Sequence, residues 1–318
     1  MNPLTVGGRG SALARWQVRW ACQALEARHP GIDLQESVIE THGDVSSGPL
    51  DPLDRGVFVR TIQQALLDGA INVAVHSLKD LPSRTPDGLL LAAFPGRHPA
   101  EDLLIAGGSP DLTALPEGSR IGTGSPRRRF QLLHRRPDLQ VEPLRGNVDT
   151  RLRSVTEGRL DGIVLARAGV ERLGLALPGS HVLDPETMVP AAGQGALALE
   201  IRADDATTLE RVSKLDCRET RMAVRCERAC LESLDGGCMA PLAVHAWIAE
   251  ERLHLMARAG SLDGRQVVHE EASMSCTTVD DPPRALAVAV ADRLRSRGVE
   301  SILEAARAAQ LADLRDHG

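Results

Sequence analysis

Short apolar runs alternate with amphipathic segments over the first two thirds of the chain. After Ser11, for example, Leu13, Trp16 and Trp20 recur at helical spacing on one face of a predicted helix. Apolar runs of five or six residues are predicted to be buried strands; they span residues 4–8, 71–75, 89–94, 102–107, 119–124 and 161–166. This alternation predicts an α/β fold with parallel sheets and helices on both faces.

The last third has a different pattern. A long amphipathic helix is predicted over 218–234, and it ends at Gly236 and Gly237. Three alternating, strand-like segments follow, and a helix from about Pro283 to Arg297 closes the unit. Strands that are grouped together and then followed by a helix predict a small α+β domain.

Composition narrows the class of protein. The 318 residues include no Tyr, and aromatic residues make up 2% of the chain, so the core is built from aliphatic side chains. No run of about 18 apolar residues is present, and the first ten residues lack a secretory pattern, which predicts a cytoplasmic protein without a membrane span. Six Cys are too few for a disulfide scaffold.

The charges are unevenly distributed. The net charge of −6 argues against bulk attraction to a polyanion, yet 127–153 holds eight Arg and three acidic residues. Such a local cationic stretch in an acidic protein predicts an anion site. Because all cations except Lys79 and Lys214 are Arg, a compositional bias toward Arg explains part of this pattern. A solvated, Arg-rich helix face is the alternative interpretation.

Two strand–helix junctions within this stretch have the same layout. Ser125 is placed to cap a helix that starts at Pro126, with Arg127 and Arg128 in its first turn. Cations there oppose the helix dipole, and a bound anion would offset that cost. The second junction has Asn147 as the cap, with Arg145 before it and Arg151 after it. Neither segment matches a Walker or dinucleotide-binding loop.

Two further segments carry polar or reactive groups. Lys79 and Asp80 follow the strand 71–75, at the position where doubly wound folds place ligands. A carboxylate there stabilises positive charge or relays protons, or it is simply a polar cap for the next element. Cys238 follows two glycines, which favour access to its thiol as a covalent attachment point. The spacing of the cysteines supports neither a zinc site nor a Cys–His hydrolase.

Taken together, these motifs resemble the porphobilinogen deaminase (hydroxymethylbilane synthase) family. The similar stretches occur in order along most of the chain, and they are residues 8–17, 41–45, 55–60, 74–82, 121–132, 144–152, 167–175, 190–200 and 219–242. The resemblance implies two periplasmic-binding-protein-like, doubly wound domains plus a small C-terminal α+β domain. The implied boundaries are 1–95 with 196–214, then 96–195, then 215–318.

The resemblance also implies a reaction. Such enzymes join four porphobilinogen molecules head to tail, with loss of one ammonia each time, to give 1-hydroxymethylbilane for tetrapyrrole biosynthesis. Their primer is a dipyrromethane cofactor, which a thioether would link to Cys238 here. Primer and product carry twelve carboxylates in all, and the Arg-rich stretch suits that load. The enzyme is expected to be a monomer that passes its product to uroporphyrinogen-III synthase.

By the same resemblance, each motif residue receives a role. Asp80 is the expected catalytic group. The expected cofactor-binding residues are Lys79, Asp80, Thr123, Ser125, Arg127, Arg128, Arg145 and Cys238. The expected substrate-binding residues are Arg9, Ser11, Arg145, Arg151, Arg172 and Gln194. Residues 43–56 are expected to form a mobile lid, with Asp44, Arg55 and Phe58 as its contacts, and no metal is expected.

The chain departs from the family pattern at a few positions. Gly124 and Pro126 stand where Ser and Leu are usual, and His42 and Arg55 stand where Arg and Lys are common. The Arg-rich stretch is also compatible with two rival functions. A non-catalytic, periplasmic-type anion-binding protein would not need Cys238 and would be expected to carry a secretion signal. A nucleic-acid-binding protein would need aromatic side chains for base stacking, and these are scarce here.

Overall fold

The computed structural model describes residues 3–39, 54–107, 111–177, 179–237, 239–277 and 281–316. The strands are β1 (Leu4–Arg9), β2 (Leu34–Ile39), β3 (Val73–Ser77), β4 (Leu89–Ala93), β5 (Asp102–Ala106), β6 (Arg120–Gly122), β7 (Gln140–Glu142), β8 (Gly162–Ala166), β9 (Ser180–Leu183), β10 (Leu197–Arg202), β11 (Leu242–Ala249), β12 (Arg252–Gly260) and β13 (Val267–Ser275). The α-helices are α1 (Ala12–Arg28), α2 (Asp54–Leu67), α3 (Pro126–Arg135), α4 (Val148–Thr156), α5 (Arg167–Arg172), α6 (Ala206–Val212), α7 (Arg218–Ser233), α8 (Pro282–Ser296) and α9 (Val299–Asp316).

The chain forms two compact units. Unit 1 comprises Met1–His98 and Gly195–Arg221, and unit 2 comprises Pro99–Gln194 and Met222–Gly318. Unit 1 contains one sheet and unit 2 contains two. The three predicted domain boundaries stay a prediction, although each predicted domain holds one of the three sheets.

Two five-stranded sheets have the same strand arrangement. In unit 1 the order is β2-β1-β3-β10-β4, and in unit 2 it is β7-β6-β8-β5-β9. In each sheet the first three strands in this order are parallel, whereas the fourth is antiparallel to both of its neighbours. The predicted α/β class with two doubly wound parts and a small α+β part is confirmed.

The sheets predicted to be parallel are mixed, because β5 and β10 run antiparallel to their neighbours. Both strands are almost completely buried along their length. A buried strand has a continuous apolar sequence whichever way it runs, so its composition did not indicate its direction. The chain enters one sheet through β5 and returns to the other through β10, and these two strands run against their neighbours.

Local signals account for the helix that follows β1. The Ser11 hydroxyl accepts the Ala14 N–H at 3.3 Å, so Ser11 is the N-cap of the helix predicted to follow it. Val18, Ala21 and Leu25 on one face are buried against the sheet of unit 1. The helix ends at Arg28, and His29 is its C-cap.

The C-terminal part is an antiparallel meander of β11, β12 and β13, packed against helices. Its core joins strand residues to α7, α8 and α9, with Cys226, Leu286 and Leu303 among the buried side chains. The prediction that one helix closes this part is wrong, because α9 follows α8 after Gly298. That glycine has φ +80°, which ends one helix and lets the next begin. Within the described ranges, no helix combines the length and apolarity that a membrane span requires.

Candidate functional site

In unit 1, Asp80 lies in a short 3₁₀ turn, Leu78–Asp80, directly after β3. Leu78 is buried, and its N–H donates to the Ala196 carbonyl at 3.1 Å. The burial of Leu78 and this hydrogen bond fix the start of the turn. Asp80 is exposed, and Lys79 is half-buried. The turn therefore presents the predicted catalytic carboxylate on the surface of unit 1 from a firmly anchored base.

Arg9 and Ser11 lie at the same sheet edge as this turn. Arg9 is the last residue of β1, which pairs in parallel with β3 in a register that matches Val6 with Val73. Parallel strands end at a common edge, where α/β folds bind ligands. Arg9 is half-buried there, and the Ser11 hydroxyl already caps α1. Of these two residues, the guanidinium is therefore the better placed to attract a carboxylate.

In unit 2, helix α3 begins where the sequence predicted. Ser125 occupies the N-cap position and Pro126 the first turn, but the Ser125 hydroxyl makes no capping hydrogen bond. Instead, the Ser125 N–H donates to Oγ1 of the buried Thr123 at 3.2 Å. The predicted position of the cap is thus confirmed, whereas the predicted capping bond is absent.

Arg127 and Arg128 are buried and share one carboxylate. Nη2 of Arg127 donates to Oδ2 of Asp102 at 2.8 Å, and Nη2 of Arg128 donates to Oδ1 at 2.7 Å. Their Nη1 atoms donate to the carbonyls of Val189 and Val164. Only 4% and 6% of the two Arg residues are exposed, which excludes a solvated helix face at these positions.

Gln194 joins the same cluster, which we call the Asp102 cluster (Asp102, Arg127, Arg128 and Gln194). Its Nε2 donates to Oδ1 of Asp102 at 2.8 Å and to the Ala100 carbonyl at 2.6 Å. Three residues predicted for cofactor or substrate binding therefore converge on a carboxylate that the sequence analysis did not select. One signal was available, because Asp102 opens an otherwise apolar strand, where a charge needs a partner.

The electrostatics of the Asp102 cluster favour a further anion. Burial alone would raise the pKa of Asp102, but Arg127 and Arg128 outweigh it and hold that pKa well below its usual range. Burial lowers the pKa of Arg127, and Asp102 partly offsets the shift. Two guanidinium groups and one carboxylate leave a net charge of one positive unit. The Nε atoms of both Arg are buried without a hydrogen-bond acceptor, so each guanidinium has one donor that no described residue satisfies.

Two other junctions of unit 2 contribute cations at the same sheet edge, because β6, β7 and β8 are parallel. The Asn147 side chain accepts the Thr150 N–H at 2.9 Å, which confirms the predicted cap of α4. Arg145 is exposed, and Nε of the half-buried Arg151 donates to the Gly146 carbonyl at 2.9 Å. Arg172 ends α5 and is buried, which lowers its pKa to about 10 and still leaves it charged at neutral pH.

Gly124 brings the first two junctions into close contact. A Cβ atom added there would lie 2.8 Å from the Leu144 carbonyl oxygen and 3.9 Å from Cγ of Arg145. We expect Gly124→Ala to displace this backbone and to lower the free energy of unfolding by about 1–3 kcal/mol. Thermal unfolding measures the change, and Gly107→Ala is the matched control because its added Cβ would have nothing within 4 Å. Equal stability of the two variants would contradict the expectation.

Three of the cysteines are buried, namely Cys22, Cys226 and Cys230. Burial raises the pKa of Cys22 to about 11 and that of Cys230 to about 12, and it raises the pKa of Cys226 further. All three thiols are therefore protonated at neutral pH and are poor nucleophiles. Among the described residues, no group of His, Cys, Asp or Glu is arranged to hold a metal ion.

Some predicted site residues lie outside the described part of the chain. They are Cys238 and Asp44, as well as the side chains of Arg55 and Phe58 in the first turns of α2. Residues 43–53 of the predicted lid also lie there, whereas residues 54–56 form the start of α2 rather than a loop. The mobility of the lid stays a prediction.

The fold and the Asp102 cluster define an α/β protein with a buried cluster of net positive charge in its second unit. Matches to known proteins make the class more specific. The family model "Porphobilinogen deaminase, dipyromethane cofactor binding domain" matches residues 4–210, and "Porphobilinogen deaminase, C-terminal domain" matches residues 221–296. The chain belongs to the porphobilinogen deaminase family. The predicted family, enzyme activity and dipyrromethane cofactor are thereby confirmed.

Individual relatives agree with this assignment. The chain is 44% identical over 306 residues to a porphobilinogen deaminase of Syntrophotalea carbinolica, and the match covers 96% of each chain. It is 40% identical over 317 residues to a porphobilinogen deaminase of Nitratidesulfovibrio vulgaris, covering 98% of this chain and 99% of the relative. An arginine transport system periplasmic binding protein from Legionella pneumophila is similar in structure, with a TM-score of 0.39 and 13% identity over 67% of this chain and 92% of that one.

Proposed function

We propose that this chain joins four porphobilinogen molecules head to tail into 1-hydroxymethylbilane with Asp80 as its catalytic carboxylate and the Asp102 cluster as its carboxylate receptor. Besides the family, the observation that carries the proposal is the net positive charge of this buried cluster. Each pyrrole ring of the substrate carries an acetate and a propionate, so the reaction needs fixed cations. The alternative hypothesis of a nucleic-acid-binding protein is disfavoured, because aromatic side chains for base stacking make up only 2% of the chain.

The residues of unit 2 fit a dipyrromethane cofactor. Arg127 and Arg128 offer buried donors and unbalanced positive charge to its carboxylates, and Thr123, Ser125 and Arg145 lie on the neighbouring loops. By resemblance to the family, Lys79 and Asp80 are also proposed to bind the cofactor. Once attached, the cofactor supplies the primer to which substrate rings are added. Because Asp102 already holds both guanidinium groups in place, they need little reorganisation when they bind an anion.

Arg9, Ser11, Arg151, Arg172 and Gln194 are the proposed substrate-binding residues. Arg172 is buried and charged, and Arg151 is held against the Gly146 carbonyl, so both present cations in fixed positions. Gln194 is bound to Asp102 and orients the cluster. These residues would hold the carboxylates of incoming rings and orient the reacting carbon.

Asp80 would stabilise positive charge and accept a proton during the reaction. Loss of ammonia from porphobilinogen leaves positive charge on the pyrrole, and a nearby carboxylate stabilises that charge. After the new carbon–carbon bond has formed, the ring carbon must lose a proton, which the same carboxylate accepts. The exposed position of Asp80 on a fixed turn suits a group that serves successive substrate molecules.

The proposal extends to the protein's setting. We infer a cytoplasmic monomer, with the domains and lid expected from the sequence, that hands 1-hydroxymethylbilane to uroporphyrinogen-III synthase. The absence of a membrane-spanning helix among the described residues supports this setting.

Cofactor attachment provides the direct test. We expect the purified protein to exceed its sequence mass by one dipyrromethane, and Cys238→Ser to lack this adduct. The raised pKa values of Cys226 and Cys230 support Cys238 as the nucleophile. Intact-mass spectrometry makes the comparison, with Cys276→Ser as the matched control that keeps the adduct. An adduct that persists in Cys238→Ser would show that the attachment site is elsewhere.

Replacing a substrate-binding Arg is expected to block a later stage of the reaction than replacing a cofactor-binding Arg. We expect Arg151→Leu and Arg172→Leu to load cofactor and then to stall during chain elongation, because they hold incoming rings rather than the primer. Mass spectra taken during turnover would show enzyme with fewer than four added rings. Arg159→Leu, an exposed residue in the same unit, is the control. Full turnover in both variants would refute these roles.

A further inference from the structure

Unit 1 contains a buried group of polar side chains that the proposed reaction does not use. Glu200 on β10 is completely buried, and His76 on β3 is 6% exposed. Nε2 of His76 lies 3.0 Å from Oε2 of Glu200, without the alignment of a hydrogen bond. Oε1 of Glu200 accepts a hydrogen bond from Nε2 of the buried Gln63 on α2, at 3.0 Å.

Burying such a polar group in a protein core has a large free-energy cost. Removing a carboxylate from water costs several kcal/mol, and a pair of this kind is often less stable than apolar side chains of the same size. The surroundings are apolar, because Ile62, Leu66 and Ala74 form the core on this side of the sheet. Stability alone therefore does not explain why Glu200 and His76 stand here, and their position relative to the Asp80 turn becomes informative.

The group lies immediately beneath the Asp80 turn. His76 is the penultimate residue of β3, two residues before the turn that carries Asp80. In the β3–β10 pairing, Ala198 faces His76 and Glu200 faces Ala74, so Glu200 reaches His76 along the diagonal. On the next residue, Ser77 Oγ accepts a hydrogen bond from Nε2 of the buried Gln17 at 2.8 Å. Side-chain contacts thus hold the last two residues of β3.

We propose that Glu200 is a positioning residue for Asp80 and acts through His76. Its carboxylate fixes the His76 side chain and, through Gln63, ties α2 to the end of β3. This arrangement sets where the Leu78–Asp80 turn leaves the sheet, and so where the Asp80 carboxylate is held. The inference rests on the proposed catalytic role of Asp80 and adds a residue remote from substrate to that site.

The test uses the cofactor-loaded, full-length enzyme. We expect Glu200→Gln, which keeps the size and removes the charge, to lower kcat at least tenfold while KM changes less than about twofold. Misplacing a catalytic group by about 1 Å costs up to about a hundredfold in rate. If Glu200 acts through His76, the double variant Glu200→Gln/His76→Gln should be no slower than the slower single variant. Glu26→Gln, on the exposed face of α1, is the matched control.

The same Glu200 substitution made in the Asp80→Asn variant separates a positioning role of Glu200 from a general loss of activity. In Asp80→Asn enzyme, formation of the first enzyme–substrate adduct can be followed by mass spectrometry over long times. There Glu200→Gln should cause no further loss, since the group it positions is already disabled. An equal fold-loss in both backgrounds, or an unchanged kcat in Glu200→Gln, would overturn the inference. Asp80→Asn with nearly normal turnover would instead overturn the catalytic assignment, and the inference with it.

Hydrogen exchange keeps the proposal testable if Glu200→Gln folds poorly. Gln63→Leu leaves both titratable groups in place and removes only the hydrogen bond from α2 to Glu200. We expect faster exchange in the peptide that spans 73–81 and a several-fold lower kcat in this variant. Unchanged exchange and unchanged kcat would show that the network does not hold the turn.

Discussion

Replacing Asp80 with Asn is expected to lower turnover at least a hundredfold in protein that still folds and carries its cofactor. Asn keeps the size of the side chain but has no charge, so it neither stabilises a cationic pyrrole nor accepts the ring proton. Each of these contributions is typically a factor of about 10²–10³. Because Asp80 is exposed and the turn is anchored through Leu78, the substitution should leave stability almost unchanged. A steady-state assay of variants with equal adduct mass measures the loss.

Two comparison variants test whether the loss of activity in Asp80→Asn comes from the charge at this position. Asp80→Glu keeps the charge and displaces it by about one methylene, so it should retain more activity than Asn. Asp87→Asn alters an exposed acid a few residues away and should behave like the parent enzyme. If Asp80→Asn keeps a tenth or more of the parent rate, another group such as Asp44 carries the proton chemistry.

Two substitutions in the Asp102 cluster are expected to differ in their effects on stability and on cofactor loading. Asp102→Ala should destabilise the protein by about 3–5 kcal/mol, because it leaves two guanidinium groups buried without their shared counter-charge. Arg127→Leu should unfold at a temperature closer to that of the parent, because Asp102 and Arg128 remain as a neutral pair. The same Arg127 variant should nevertheless fail to load cofactor, since the net positive charge is gone. Thermal unfolding and intact mass, measured on the same samples, separate the two effects.

The pH dependence of stability provides a further check on this cluster. The folded-state pKa of Asp102 is depressed, so its stabilising contribution is fully present above the ordinary Asp pKa of about 3.9 and is lost as the pH falls below it. The stability difference between parent and Asp102→Ala should therefore be constant from about pH 6 to pH 8 and should shrink in acid. A difference that changes near neutral pH would contradict an ionised Asp102 in the folded protein.

Much of the fold followed from local patterns. Caps, glycine stops and apolar runs placed α1, α3, α4 and most central strands, because those signals act between residues close in sequence. The directions of β5 and β10 were not predictable in this way. Strand direction depends on where the chain leaves and re-enters a sheet, and a fully buried strand such as β5 carries no periodic signal of its orientation.

The candidate functional site, like the fold, was predicted only in part from the sequence. The concentration of Arg near 127–153 pointed correctly to a cationic region, and sequence similarity supplied the proposed roles. The counter-charge was missed because Asp102 lies 25 residues before Arg127 and meets it only when β5 pairs with β8 inside the sheet. Glu200 and His76 were missed for the same reason, since their contact depends on the register of β10 against β3.

The position of β10 has a consequence for synthesis of the protein. This strand lies between β3 and β4, so the sheet of unit 1 has a gap until residues 197–202 have left the ribosome. The five strands β5 to β9 come from one uninterrupted stretch and can pair before that moment. At translation rates of about 5–20 residues per second, the first 98 residues wait roughly 5–20 s for their missing strand. During that interval the edges of β3 and β4 are open to wrong partners, so a nascent-chain chaperone would be needed mainly there.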